Sequence, residues 1–92
     1  MDKMFQIFLL GINNKTRTHY ISLSTKISDI YNHVSTKYNI STDYFYLLHS
    51  TKILDNTNMS NMTINEFNLK YDTESYKISK DSNISIVIRG AK

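Results

Sequence analysis

Hydrophobic and polar positions alternate where the chain begins. In "MFQIFLLGINNKT" the residues Phe5, Ile7 and Leu9 fall on one face, with Gln6, Phe8 and Leu10 on the other, which is the period of a strand. Gly11, Asn13 and Asn14 then supply residues that tolerate positive φ, as a hairpin turn requires. "TRTHYISLS" reads as the return strand, with Ile21 and Leu23 facing inward. The period then changes. In "STKISDIYNHVSTKYN" the residues Ile27, Ile30 and Val34 recur at i, i+3 and i+7, with Tyr31 and Tyr38 flanking the stripe. This predicts one helix of about three to four turns, capped by Ser24 or Thr25 and ended by Asn39 in the left-handed region.

Alternation returns in "DYFYLLH", with Phe45 and Leu47 set against Tyr44, Tyr46 and Leu48, and predicts a third strand. "KIL" is a short fourth strand with Leu54 in the core. A polar Asn/Ser/Thr run follows as a loop pinned by Met59 and Ile64. The closing "NISIVIR" sets Ile84, Ile86 and Ile88 against Ser85 and Val87 and predicts a final strand. Between loop and final strand lies "NEFNLKYDTESYKISKD", residues 65–81. Phe67, Leu69 and Tyr71 alternate, "DTES" resembles a turn, and Tyr76 and Ile78 alternate after it. The pattern predicts an extra hairpin; the competing reading of the same stretch is a loop. Hairpin, helix, strand, short strand, loop, strand is the order of an α+β β-grasp, a mixed sheet wrapped on one helix.

Composition narrows the function classes. A chain of 92 residues predicts one domain, over 1–92. The formal charge of +3 comes from scattered lysines, and a nucleic-acid binder clusters its cations. The chain has no Cys, which excludes disulfides and thiolate metal sites. The longest apolar run, Phe5 to Leu10, is interrupted by Gln6, is too short to span a bilayer and lacks signal-peptide flanks. His19, His33 and His49 are spread over the chain without ligand spacing, and each reads as a surface or rim residue. No carboxylate pair, nucleophile elbow or Gly-rich phosphate loop is present. The expectation is a non-enzymatic protein without cofactor or metal, and without nucleic-acid or membrane partners.

Along nearly its whole length the chain resembles the ubiquitin family. "MFQIFLLGINNKT" is similar to that family's opening strand and turn, with "QIF" identical and Lys15 following the turn. "ISDIYNHVSTKYNIS" resembles its helix, with Asn39 in place of a terminating glycine. "DYFYLLHSTKILDN" resembles the third strand and following turn, including a lysine at Lys52. "NMSNMTI" is similar to the family's "TLSDYNI" loop, and "SNISIVIR" to "STLHLVLR". The segments occur in the family's order. Three features depart from its pattern: the 65–81 insertion, a tail "IRGAK" with a single glycine, Gly90, and Ser85 where the family's recognition patch carries a histidine.

The resemblance implies a shallow apolar protein-binding patch on the outer sheet face, at Ile12, Leu48 and Val87, with Ser85 among them. Tyr46 and His49, with Tyr44, are expected as an aromatic rim. Phe8 and Leu10 also point outward: the inserted hairpin is expected to cover them with its Phe67, Leu69 and Tyr71 face, the alternative being that they form a second sticky surface. The implied partners are proteins: ubiquitin-recognition domains, proteasome factors or other ubiquitin-pathway factors. The chain would be a monomer or a module of a longer protein, intracellular, in cytoplasm or nucleus. The alternative is a conjugatable modifier matured at Gly90, exposed by removal of Ala91 and Lys92. A third class is a nucleic-acid binder using Lys and Tyr faces.

Overall fold

Residues 3–11 and 15–89 are described by a computed structural model. Their elements follow in the order β1 (Phe5–Leu10), β2 (Thr16–Ile21), α1 (Ile27–Tyr38), a 3-10 turn (Thr42–Tyr44), β3 (Phe45–His49), β4 (Lys52–Leu54), α2 (Ile64–Lys70) and β5 (Ser82–Ile88). The five strands form one sheet in the order β2-β1-β5-β3-β4. β5 runs parallel to β1, whereas the other pairings are antiparallel, so the sheet is mixed and the domain is α+β. No helix among the described residues is long and apolar enough to cross a membrane.

Alternation along the strands decides which face is dry. Ile7 and Leu9 of β1, Phe45 and Leu47 of β3, Leu54 of β4, and Ile84 and Ile86 of β5 are all buried on one face. Onto them α1 lays Ile27, Ile30, Tyr31 and Val34. Each such buried aliphatic side chain contributes about 1.5–3 kcal/mol of transfer free energy. Tyr31 also stitches helix to sheet. Its hydroxyl donates to the Leu54 carbonyl and accepts from the Leu47 N–H at 3.1 Å. The ring stacks on Phe45 with centroids 5.3 Å apart.

The ends of α1 show which cap won. The N-cap is Lys26, not Ser24 or Thr25. Thr25 Oγ1 instead accepts from the Ser22 N–H at 2.9 Å, and Asp29 reaches back to accept from the Lys26 N–H at 3.0 Å. Asn39 closes the helix as expected, at φ 56° and ψ 47°. Leu23, expected inward, is 43% exposed, because β2 ends at Ile21 and the chain turns before the alternation can continue. Ile88 departs likewise at the tip of β5, 52% exposed where the core has run out.

Two turns are tight. Gly11 has φ 127°, and a Cβ there would stand 2.5 Å from the Ile86 carbonyl oxygen. Ser50 and Thr51, both at positive φ, close the two-residue β3–β4 hairpin without a glycine. Asn13 and Asn14 lie outside the described residues.

The polar run after β4 is held by its own side chains and by the start of α1. The Asp55 carboxylate accepts from the Thr57 N–H and from Asn58 Nδ2, both at 2.8 Å. The Ile27 and Ser28 N–H groups donate to the Met62 and Ser60 carbonyls at 2.9 and 3.0 Å. Met59 packs against the core and Ile64 is fully buried, as their apolar character in a polar stretch predicts.

The 65–81 segment is not a hairpin. Ile64–Lys70 is helical, opened by a capping box in which Thr63 Oγ1 accepts from the Glu66 N–H at 3.1 Å and the Glu66 carboxylate accepts from the Thr63 N–H at 2.9 Å. The apolar residues obey the helical period: Ile64 and Phe67 are fully buried, Tyr71 packs beside them, and Leu69 is 71% exposed. The rest of the segment is a set of turns returning to the core through Ile78, also fully buried. Asn68 fixes this return. Its Nδ2 donates to the Ile78 carbonyl at 2.9 Å and its Oδ1 accepts from the Ile78 N–H at 2.8 Å.

Candidate functional site

Both helices lie on one side of the sheet, so its other face is left without cover. The register aligns what that face carries. Leu10, Ser85, Leu48 and Ile53 form one row across β1, β5, β3 and β4. Tyr46 stands opposite Val87 in the next row, and Phe8 opposite Asn83 on the other flank. Leu48 and Val87 are therefore diagonal neighbours on adjacent strands of one face, within reach of each other's side chains. Both are half-buried, as are Leu10, Tyr46, Phe8 and Ser85, while Ile53 is 48% exposed. Phe8 and Leu10 are not covered by the 65–81 segment. Its Phe67 and Tyr71 belong to the core on the opposite face, since a helix turned its apolar stripe inward where a hairpin was expected to lie outside.

The rim differs from expectation at one residue. His49 alternates with Leu48 and so faces the core side, 5% exposed. Its Nδ1 lies 3.2 Å from the Asn83 carbonyl and its Nε2 3.1 Å from the Lys77 carbonyl, which makes the ring a brace between β5 and the chain leading into it. It is a structural residue and not part of the outer face. Tyr46 is on that face, and the Arg89 guanidinium sits 5.2 Å from its ring centroid, a cation at the patch edge. Tyr44 is 63% exposed beyond the strand end. Ile12 and Gly90 lie outside the described residues.

Sequence reasoning missed two things here. Ile53 extends the apolar row, and its signal was the alternation of "KIL" itself: if Leu54 points in, Ile53 points out. The second is the meeting of His19 and His33. Opposite the buried Ile7, His19 faces the helix, and its ring stacks on that of His33 with centroids 3.7 Å apart and planes within 10°. Burial lowers the pKa of both from the ordinary 6.5, with His33 adding to the effect on His19 and Lys37 to that on His33. Two rings stacked face to face do not aim their nitrogens at a common point. Among the described residues no group of three or more His, Cys, Asp or Glu could hold a metal ion.

No protein-family model matches this chain, and no curated protein matches it.

Proposed function

We propose that the chain is a ubiquitin-like β-grasp domain that acts, without catalysis, by protein–protein contact. The strand order β2-β1-β5-β3-β4 with parallel β1 and β5, and α1 against one face, supports the finer fold reading. The observation that carries the function is the uncovered face itself: Leu10, Leu48, Val87 and Ile53 form a contiguous apolar surface on rigid strands, with both helices on the other side. The partner is a helical ubiquitin-recognition module that lays an apolar helix face on this row and sets an acidic residue beside Arg89. Such a contact is small, with about −4 to −8 kcal/mol of binding free energy, or millimolar to micromolar affinity. Partners of that kind place the protein inside the cell, in cytoplasm or nucleus.

NMR titration with a helical ubiquitin-recognition module tests this. Resonances of Leu48, Ser85, Val87 and Ile53 are expected to shift, and Leu48→Glu to weaken binding by at least about tenfold with an unchanged far-ultraviolet spectrum. Shifts confined to the α1 side, or equal affinity of the variant, would refute the assignment.

A further inference from the structure

A second apolar surface lies at the end of the sheet where β1 begins and β2 ends. Three of the seven exposed large hydrophobic side chains among the described residues gather there: Met4 at 56%, Tyr20 at 57% and Leu23 at 43% exposure. With Phe5 and the buried Ile78 they line a groove of about 660 Å³, in the range of small-ligand sites. Lys3 and Lys80 also line it. We propose that this groove binds a single-chain anionic amphiphile, a hydrocarbon tail ending in a carboxylate, free in solution.

The tail is argued from what the walls have left to offer. Both polar atoms of the Asn68 amide are committed to the Ile78 backbone, at 2.8 and 2.9 Å. Gln6 Nε2 donates to the Asp81 carboxylate at 3.0 Å. A peptide would bring a donor and an acceptor for each residue, and the Asn68 and Gln6 amides are already engaged. A hydrocarbon chain requires none and gains from leaving water.

The head group is argued from charge. Among the described residues no carboxylate pairs with Lys3. Lys80 holds Asp81 at 3.2 Å, but the two side chains are 77% and 45% exposed, and an ion pair so open to water costs little to share. Two ammonium groups on one apolar groove favour an anion at its mouth.

The test is an NMR titration of the full chain with decanoate below its micelle concentration. Decanol and decyltrimethylammonium, with the same tail and no negative charge, serve as controls. Decanoate is expected to shift Met4, Phe5, Leu23, Ser79 and Lys80 and leave Leu48 and Val87 in place. Leu23→Glu, at an exposed site, is expected to abolish the shifts. Lys3→Glu with Lys80→Glu is expected to weaken decanoate about fivefold and leave decanol unchanged, which keeps the test valid should Leu23→Glu disturb folding. Equal affinity for all three amphiphiles overturns the proposal. So do shifts at these residues with an acidic peptide or anionic vesicles but none with decanoate.

Discussion

Tyr31→Phe removes one oxygen atom and leaves the shape of the core intact. That oxygen serves two backbone groups, because it donates to the Leu54 carbonyl and accepts from the Leu47 N–H. Tyr31 is 1% exposed, so water has no easy route to replace it. Each buried backbone group stripped of its partner costs about 1–3 kcal/mol, and partial relaxation of β3 against β4 brings the pair to about 2–4 kcal/mol. A chain of 92 residues is stable by about 5–14 kcal/mol, so the variant folds but with a large share of its margin gone. Each kcal/mol moves the melting temperature of such a domain by about 4–8 °C, which predicts a fall of about 8–32 °C. Urea denaturation followed by circular dichroism measures the free energy directly, with the slope m unchanged if only stability is altered. Tyr20→Phe is the control: Tyr20 is 57% exposed and its change is expected to stay within about 0.5 kcal/mol. A Tyr31→Phe loss as small as that of the control would refute the stitch between helix and sheet. Burial also pushes the Tyr31 hydroxyl above its ordinary 10.0, against the opposing hydrogen bond from Leu47. Above pH 10 the unfolded chain therefore loses this proton first, and stability declines as pH rises.

Phe67→Ala is expected to cost about 3–5 kcal/mol by opening a core cavity, while Leu69→Ala, at a 71% exposed position, leaves the melting temperature nearly unchanged; the reverse ranking would restore the hairpin. The stacked histidines give the domain an acid-sensitive edge. Their folded pKa values lie below the ordinary 6.5, so the unfolded chain binds more protons in that window, and stability is lost as pH falls through and below 6.5. Thermal melts between pH 8 and pH 5 are expected to show this slope, and His33→Gln to flatten it; an unchanged slope in the variant would remove the pair from the explanation.

The α+β class, the α1 register and the paired inward residues of three strands, β1, β3 and β5, were legible because period carries them. Ile27, Ile30 and Val34 can share a face only in a helix, and Ile7 with Leu9, or Ile84 with Ile86, only in a strand. The outer positions of Leu48 and Val87 followed from the same alternation, since a strand whose Leu47 and Ile86 are buried must turn their neighbours outward. Alternation puts His49 inward with Leu47 while its polarity points to the rim, and the structure decides for the inside because both ring nitrogens meet carbonyl groups there.

Residues 64–71 carried two periods at once. Phe67, Leu69 and Tyr71 alternate as a strand, and Ile64, Phe67 and Tyr71 recur as a helix. The capping residues Thr63 and Glu66 were a local signal for the second, and the tertiary structure decided for it because the core had room for Ile64 and Phe67 but none for Leu69. Contacts between residues distant in the chain belong to packing alone. His19 on β2 meets His33 on α1, Tyr31 reaches β3 and β4, and Met4, Leu23 and Ile78 come together as one groove. Local order is written in the spacing of side chains along one segment; which segments meet, and with what charges between them, depends on how the whole chain closes over its core.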